Sequence, residues 1–150
     1  MRIFSPPYAY HDLEEGLAAA KEQQKPIFLY FGCYACMNSR KQIKLIEADH
    51  ALVDFIKENF VIISLQVDDR TKLPESRIVE SKHGGRKIRT FGRLWSGYQT
   101  TKFQTGSQHS FGIMNHQEEV FQVSSYNPDM QSLFTWFEEG LEKVKKIKVD

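Results

Sequence analysis

The stretch Ile27-Phe28-Leu29-Tyr30-Phe31 constrains the fold of this chain more than any other. A short, continuous, aromatic-rich apolar run, closed by Gly32, predicts a buried central β-strand. Cys33 and Cys36 follow at once, and from Met37 to Asn59 the residues Ile43, Ile46, Leu52, Val53 and Ile56 recur at helical spacing, with a bend predicted near Asp49. A strand that feeds directly into a helix places a thiol where backbone N–H groups and the helix dipole favour a thiolate.

The rest of the chain reads in the same way. Asp12 to Gln24 predicts a helix with Asp12 as N-cap, ended by Lys25-Pro26. Phe60 to Val67 predicts a second apolar strand. Asp68 to Arg89 is polar, contains Pro74 and Gly84-Gly85, and reads as a loop or weak hairpin inserted near residues 69–90. Phe91 to Phe103 reads as a short helix against the core, and Phe111 to Asn115 with Glu119 to Val123 as an antiparallel hairpin. Pro128 opens a last helix reaching about Lys146, with Met130, Leu133, Phe134, Phe137, Leu141 and Val144 on its apolar face. This order predicts one α/β domain over residues 1–150, with a central mixed sheet flanked by helices.

Composition narrows the function. A formal net charge of +1 provides no global field for nucleic acid or a membrane surface, and no apolar run approaches the ~18 residues of a membrane span. Met1 to Tyr10 has no apolar h-region, so it is not read as a signal peptide. A native start at Met1 implies a cytoplasmic protein, and a piece of a longer exported chain implies a periplasmic one. Two cysteines three apart, in a chain large enough to need no staple, point to redox or metal chemistry.

Several segments, in order, resemble the C-terminal thioredoxin domain of the DsbD-type thiol:disulfide interchange proteins in their Bacteroidetes form. They are Tyr10-His11-Asp12, Glu15-Gly16-Leu17-Ala18, Ala20-Lys21, Lys25-Pro26-Ile27, Glu58-Asn59-Phe60-Val61, Val67-Asp68-Asp69, Trp95-Ser96, Gln99-Thr100-Thr101, Phe103, Ser107-Gln108 and Glu138-Glu139-Gly140-Leu141-Glu142. The resemblance implies a thioredoxin-like fold, disulfide exchange with the thiols or disulfides of client proteins, and electrons from a membrane donor domain that this chain does not contain. It implies no cofactor. Counted without gaps from Pro26, the family's first active-site cysteine falls on Cys36, the preceding aromatic on Tyr34, and the following arginine on Arg40. The second cysteine falls on Ser39, giving Cys-x-x-Ser, and Cys33 falls on a glycine. The buried strand aspartate falls on Tyr30 and the cis-proline on His109, so the resemblance implies a degenerate site.

Three readings follow. In the first, Cys36 is the nucleophile and Cys33 resolves, since a turn brings Cα atoms three residues apart into the ~4.4–6.8 Å range of a disulfide. In the second, the protein is a redox-inactive or monothiol client binder, because a serine hydroxyl at Ser39 cannot resolve a mixed disulfide. In the third, Cys33, Cys36 and His109 hold a metal or iron–sulfur group, although four ligands are needed and three are in view. Tyr30 is expected to fill the core with its hydroxyl bonded locally. His109 is expected to follow a trans peptide bond, since a cis bond costs about 3–4 kcal/mol. Lys82 to Arg89 reads as a solvated basic loop.

Overall fold

In the computed structural model, which describes residues 2–80, 86–104 and 109–148, β2 (Ile27–Gly32) is buried along its whole length. Its partners explain why. In a five-stranded sheet of order β1-β3-β2-β6-β7, β1 (Ala9–Tyr10) and β3 (Val61–Gln66) run parallel to it, whereas β6 (Ser110–Met114) is antiparallel to β2 and β7 (Val120–Ser124) antiparallel to β6. The sheet is mixed, as the order of elements predicts.

Period-two alternation divides the apolar residues between two cores. Phe28, Tyr30, Ile62, Phe111 and Ile113 face one side. There they meet α2 (Met37–Ala48), α3 (His50–Asn59) and α5 (Met130–Lys148) through Ile46, Leu52, Ile56, Leu133 and Phe137. Ile27, Leu29, Phe31, Ile63 and Leu65 face the other side, against Ala20 of α1 (Leu13–Gln23) and Trp95 and Phe103 of α4 (Phe91–Phe103). Gly16 lets α1 lie directly on Ile63, where a Cβ would overlap that side chain.

Local chemistry sets the ends of the helices. The Asp12 carboxylate accepts from Glu15 N at 3.2 Å and caps α1. The bend near Asp49 is a one-residue joint: Asp49 ends α2 and caps α3 by accepting from Leu52 N at 3.1 Å. The last helix starts at Met130, two residues after Pro128, because Asp129 accepts from Ser132 N at 3.1 Å. Strand β1 was not expected. Two residues carry no periodicity, and this strand exists only by pairing with Ile62 and Ile63.

The insert after β3 holds a 3₁₀ turn (Glu75–Arg77) and the antiparallel pair β4 (Val79–Glu80) and β5 (Lys87–Ile88). Lys82 to Gly85 of the basic stretch lie outside the described residues. The two ends of the insert are tied together: Leu73 N donates to Arg89 O at 2.8 Å, Phe91 N to Thr71 O at 3.0 Å, and Gly92 N to Asp69 O at 2.9 Å. At Gly92 a Cβ would stand 2.6–2.7 Å from backbone atoms of Val67 and Asp69, so α4 rests on that turn only because residue 92 has no side chain.

Candidate functional site

Strands β2 and β3 are parallel and in register to their last residues, Gly32 and Gln66. Both therefore deliver their following residues to one edge of the sheet. Beyond Gly32 the chain turns, with Cys36 N donating to Cys33 O at 3.1 Å. The turn brings the two Cα atoms to 5.1 Å, and Cys33 and Cys36 are joined as a disulfide. Cys36 is the N-cap residue of α2, whose first turn contains no acidic side chain.

The two sulfurs have different surroundings. Cys33 is buried, with 4% of its surface exposed, whereas Cys36 is half-buried. The residues that flank the pair, Tyr34 and Met37, are each 62% exposed. Beyond Gln66 the chain presents Asp68, which accepts from Tyr34 N at 2.9 Å and from Ala35 N at 3.0 Å and places Oδ2 3.5 Å from Cys33 Sγ. Partial burial raises the Tyr34 phenol above its ordinary pKa, and the charges of Asp69 and Asp68 raise it further. A negative field thus covers the Cys33 side of the turn.

Behind the turn lies a buried polar chain. The Ser39 hydroxyl oxygen accepts from Cys33 N at 3.1 Å, and the Tyr30 hydroxyl donates to Ser39 O at 2.8 Å. Tyr30 is fully buried, with its hydroxyl bonded locally. Burial raises its pKa far above the ordinary phenol range, so it stays neutral. His109 is also buried, its ring 5.1 Å from that of Tyr30 and 6.0 Å from that of Phe111. Burial pushes its imidazole down to about 4, so the ring is neutral at pH 7. The peptide bond entering His109 involves Gln108, outside the described residues, as is the neighbouring Ser107.

A family model described as thioredoxin-like matches residues 8–87, more than half of the chain. The chain belongs to the thioredoxin-like family. Solved thioredoxin-like structures share its fold. An oxidoreductase, DsbH, aligns with a TM-score of 0.65 at 13% identity, over 89% of this chain and 83% of its own. A disulphide isomerase from Xylella fastidiosa Temecula1 aligns with a TM-score of 0.56 at 18% identity, over 84% and 86%. A thioredoxin from Thermus thermophilus aligns with a TM-score of 0.56 at 16% identity, over 91% and 85%. No curated protein matches the sequence.

For a thioredoxin-like protein the site departs from the register expected above in one respect. The Cys-x-x-Ser reading of Cys36 and Ser39 is not supported, because the pair formed is Cys33-x-x-Cys36. Ser39 lies one helical turn further on and serves as a hydrogen-bond acceptor. Among the described residues no group of three His, Cys, Asp or Glu side chains is arranged to hold a metal ion. Cys33 and Cys36 spend their sulfur valences on each other. Asp68 was absent from the expected site. Its signal was present in Val67-Asp68-Asp69: an acidic pair just past one parallel strand lies beside whatever follows its neighbour.

Proposed function

We propose that this protein is a thiol–disulfide exchange enzyme of the reductase or interchange type, in which Cys36 attacks and Cys33 resolves. The observation that carries this reading is the asymmetry of the pair: half-buried Cys36 caps a helix N-terminus, and buried Cys33 is bonded to it. The helix dipole stabilises a thiolate at Cys36. The Asp68 carboxylate near Cys33 opposes a second negative charge there. In the dithiol state Cys36 is therefore the sulfur that ionises first.

The substrates are disulfides in client polypeptides. Exposed Tyr34 and Met37 beside Cys36 provide an apolar rim for an extended chain. The DsbD-type segments support a donor–acceptor role, with electrons arriving from a membrane domain and leaving to clients in the periplasm.

The test is insulin reduction with dithiothreitol as donor, followed by trapping. Cys33→Ser should lose turnover and accumulate a mixed disulfide through Cys36. Cys36→Ser should lose turnover and trap nothing. A trap formed by Cys36→Ser and not by Cys33→Ser would reverse the roles, and no turnover in the unaltered protein would favour the monothiol client binder.

A further inference from the structure

We infer that the cavity beside Cys33 is a client-recognition subsite: it takes an acidic side chain close to the client's reacting cysteine. This rests on the reading of the pair as a site that exchanges with client polypeptides, and it names the clients that site favours.

The cavity has a volume of about 600 Å³, and Cys33 forms part of its wall together with residues of α2, of β3 and of the segment before β1. Spacing along α2 ties it to the reacting sulfur. Cys36, Arg40 and Lys44 recur every four residues, so they lie along one face of the helix. Arg40 N donates to Cys36 O at 3.3 Å, which sets the arginine one turn below the cysteine. Arg40 and Lys44 both line the cavity, and Arg2 joins them from the segment before β1. All three are exposed, so a bound client meets their charges directly.

The lining is built for a negative charge. Its one carboxylate, Glu47, accepts from Phe4 N at 3.3 Å. Among the described residues Arg2, Arg40 and Lys44 have no carboxylate partner. Deeper in the wall, Ser64 stands opposite Tyr30 in register and is 1% exposed. Its hydroxyl has no hydrogen-bond partner, a costly state for a buried polar group. A carboxylate entering between Arg40 and Lys44 meets two cations and, further in, a hydroxyl free to donate. A second basic cavity, lined by Arg86, Lys87, Arg89 and Arg93, has no sulfur in its wall.

The exchange chemistry is unchanged by this binding. The Cys36 thiolate bonds to the client sulfur nearest the acid, the client S–S bond breaks, and the other client sulfur leaves as a thiolate. The acid supplies no proton and no electron. It holds the client chain against α2 while the sulfurs meet, so its effect falls on the first step and differs from one client sequence to the next.

Short peptides with a single cysteine, carrying Glu, Gln or Lys in turn at successive neighbouring positions, test the subsite. Each is presented to the reduced protein as a disulfide with 2-thiopyridine, a neutral leaving group, and release of pyridine-2-thione is followed by stopped flow at low salt. At one position Glu should speed release at least about fivefold over Gln, and Lys should slow it. The adjacent position should show little preference, because successive side chains of an extended chain point to opposite sides. Arg40→Gln and Lys44→Gln should each reduce the Glu/Gln ratio below about twofold, and the ratio cancels any change in the thiolate fraction of Cys36. Lys41→Gln removes the same charge from the same helix outside the cavity and should keep the ratio. Equal rates for Glu and Gln at every position overturn the proposal. So does an equal loss in Lys41→Gln, which would reveal a general field only. Release by Cys36→Ser and not by Cys33→Ser would instead sink the assignment of the attacking sulfur, with the Glu/Gln ratio still read. If no peptide reacts, exchange itself fails, and the serine-for-cysteine peptides added to the disulfide form read the cavity alone. There the Glu peptide should shift the amide resonances of Arg40, Lys44 and Ser64 and the Lys peptide should not; no shift with either overturns the subsite.

Discussion

The Tyr30 hydroxyl donates to the Ser39 carbonyl at 2.8 Å, joining the middle of the central strand to the first turn of the cysteine-bearing helix. Both residues are buried, so the bond is made away from water. Tyr30→Phe should lower the unfolding free energy by about 1–2 kcal/mol, the value of a buried hydrogen bond plus the acceptor left behind. Urea denaturation should show a lower midpoint at unchanged slope.

Ser39→Ala separates support from chemistry. It removes the acceptor for Cys33 N, bonded at 3.1 Å in a buried place, at a cost of about 1–3 kcal/mol. Insulin reduction by the folded variant should stay within about threefold of the unaltered protein, since the serine hydroxyl bonds the Cys33 backbone amide.

Gly92→Ala should disturb a site its residue does not touch. A Cβ there meets backbone of Val67 and Asp69 at 2.6–2.7 Å, and backbone cannot rotate away as a side chain can. The expected cost is about 1–3 kcal/mol. The displaced turn carries Asp68, so the Tyr34 and Ala35 amides it holds should exchange with deuterium faster than in the unaltered protein.

His109 makes stability depend on pH. Its folded-state pKa, pushed down by burial to about 4, lies below the ordinary value of 6.5. Between those values the unfolded chain binds the extra proton, so stability rises with pH. The contribution is complete above pH 6.5 and is lost as pH falls toward 4. Urea midpoints at pH 7 and pH 4.5 should differ by about 2–3 kcal/mol of unfolding free energy from this group. His109→Gln should remove that part of the slope.

Patterns carried over many residues were legible in the sequence. Ile27 to Phe31 read as a central strand because burial on both faces leaves no polar position. Asp12 marked a helix start because a carboxylate satisfies N-terminal amides, whereas Asp49 was read only as a bend and proves to cap a separate helix. The pairing of Ala9 and Tyr10 with β3 was not legible, since it depends on a partner some fifty residues on. The position of Cys36 at the helix tip was implied by the family resemblance, counted without gaps from Pro26. The contact of Asp68 with Cys33, 35 residues apart, required knowing that their strands are parallel neighbours ending together.

The stitched ends of the excursion between Asp69 and Gly92 have a consequence for how this protein tolerates change. The stem at Thr71–Leu73 and Arg89–Phe91 closes the excursion like the neck of a bag, before the chain travels outward. Chain added beyond the neck is held by the paired stem, and each doubling of such a bag costs only about 0.6 kcal/mol in closure entropy. The protein therefore has a graft point in the insert, where an epitope or a fluorescent partner would hang from a closed stem without being part of the sheet and helices.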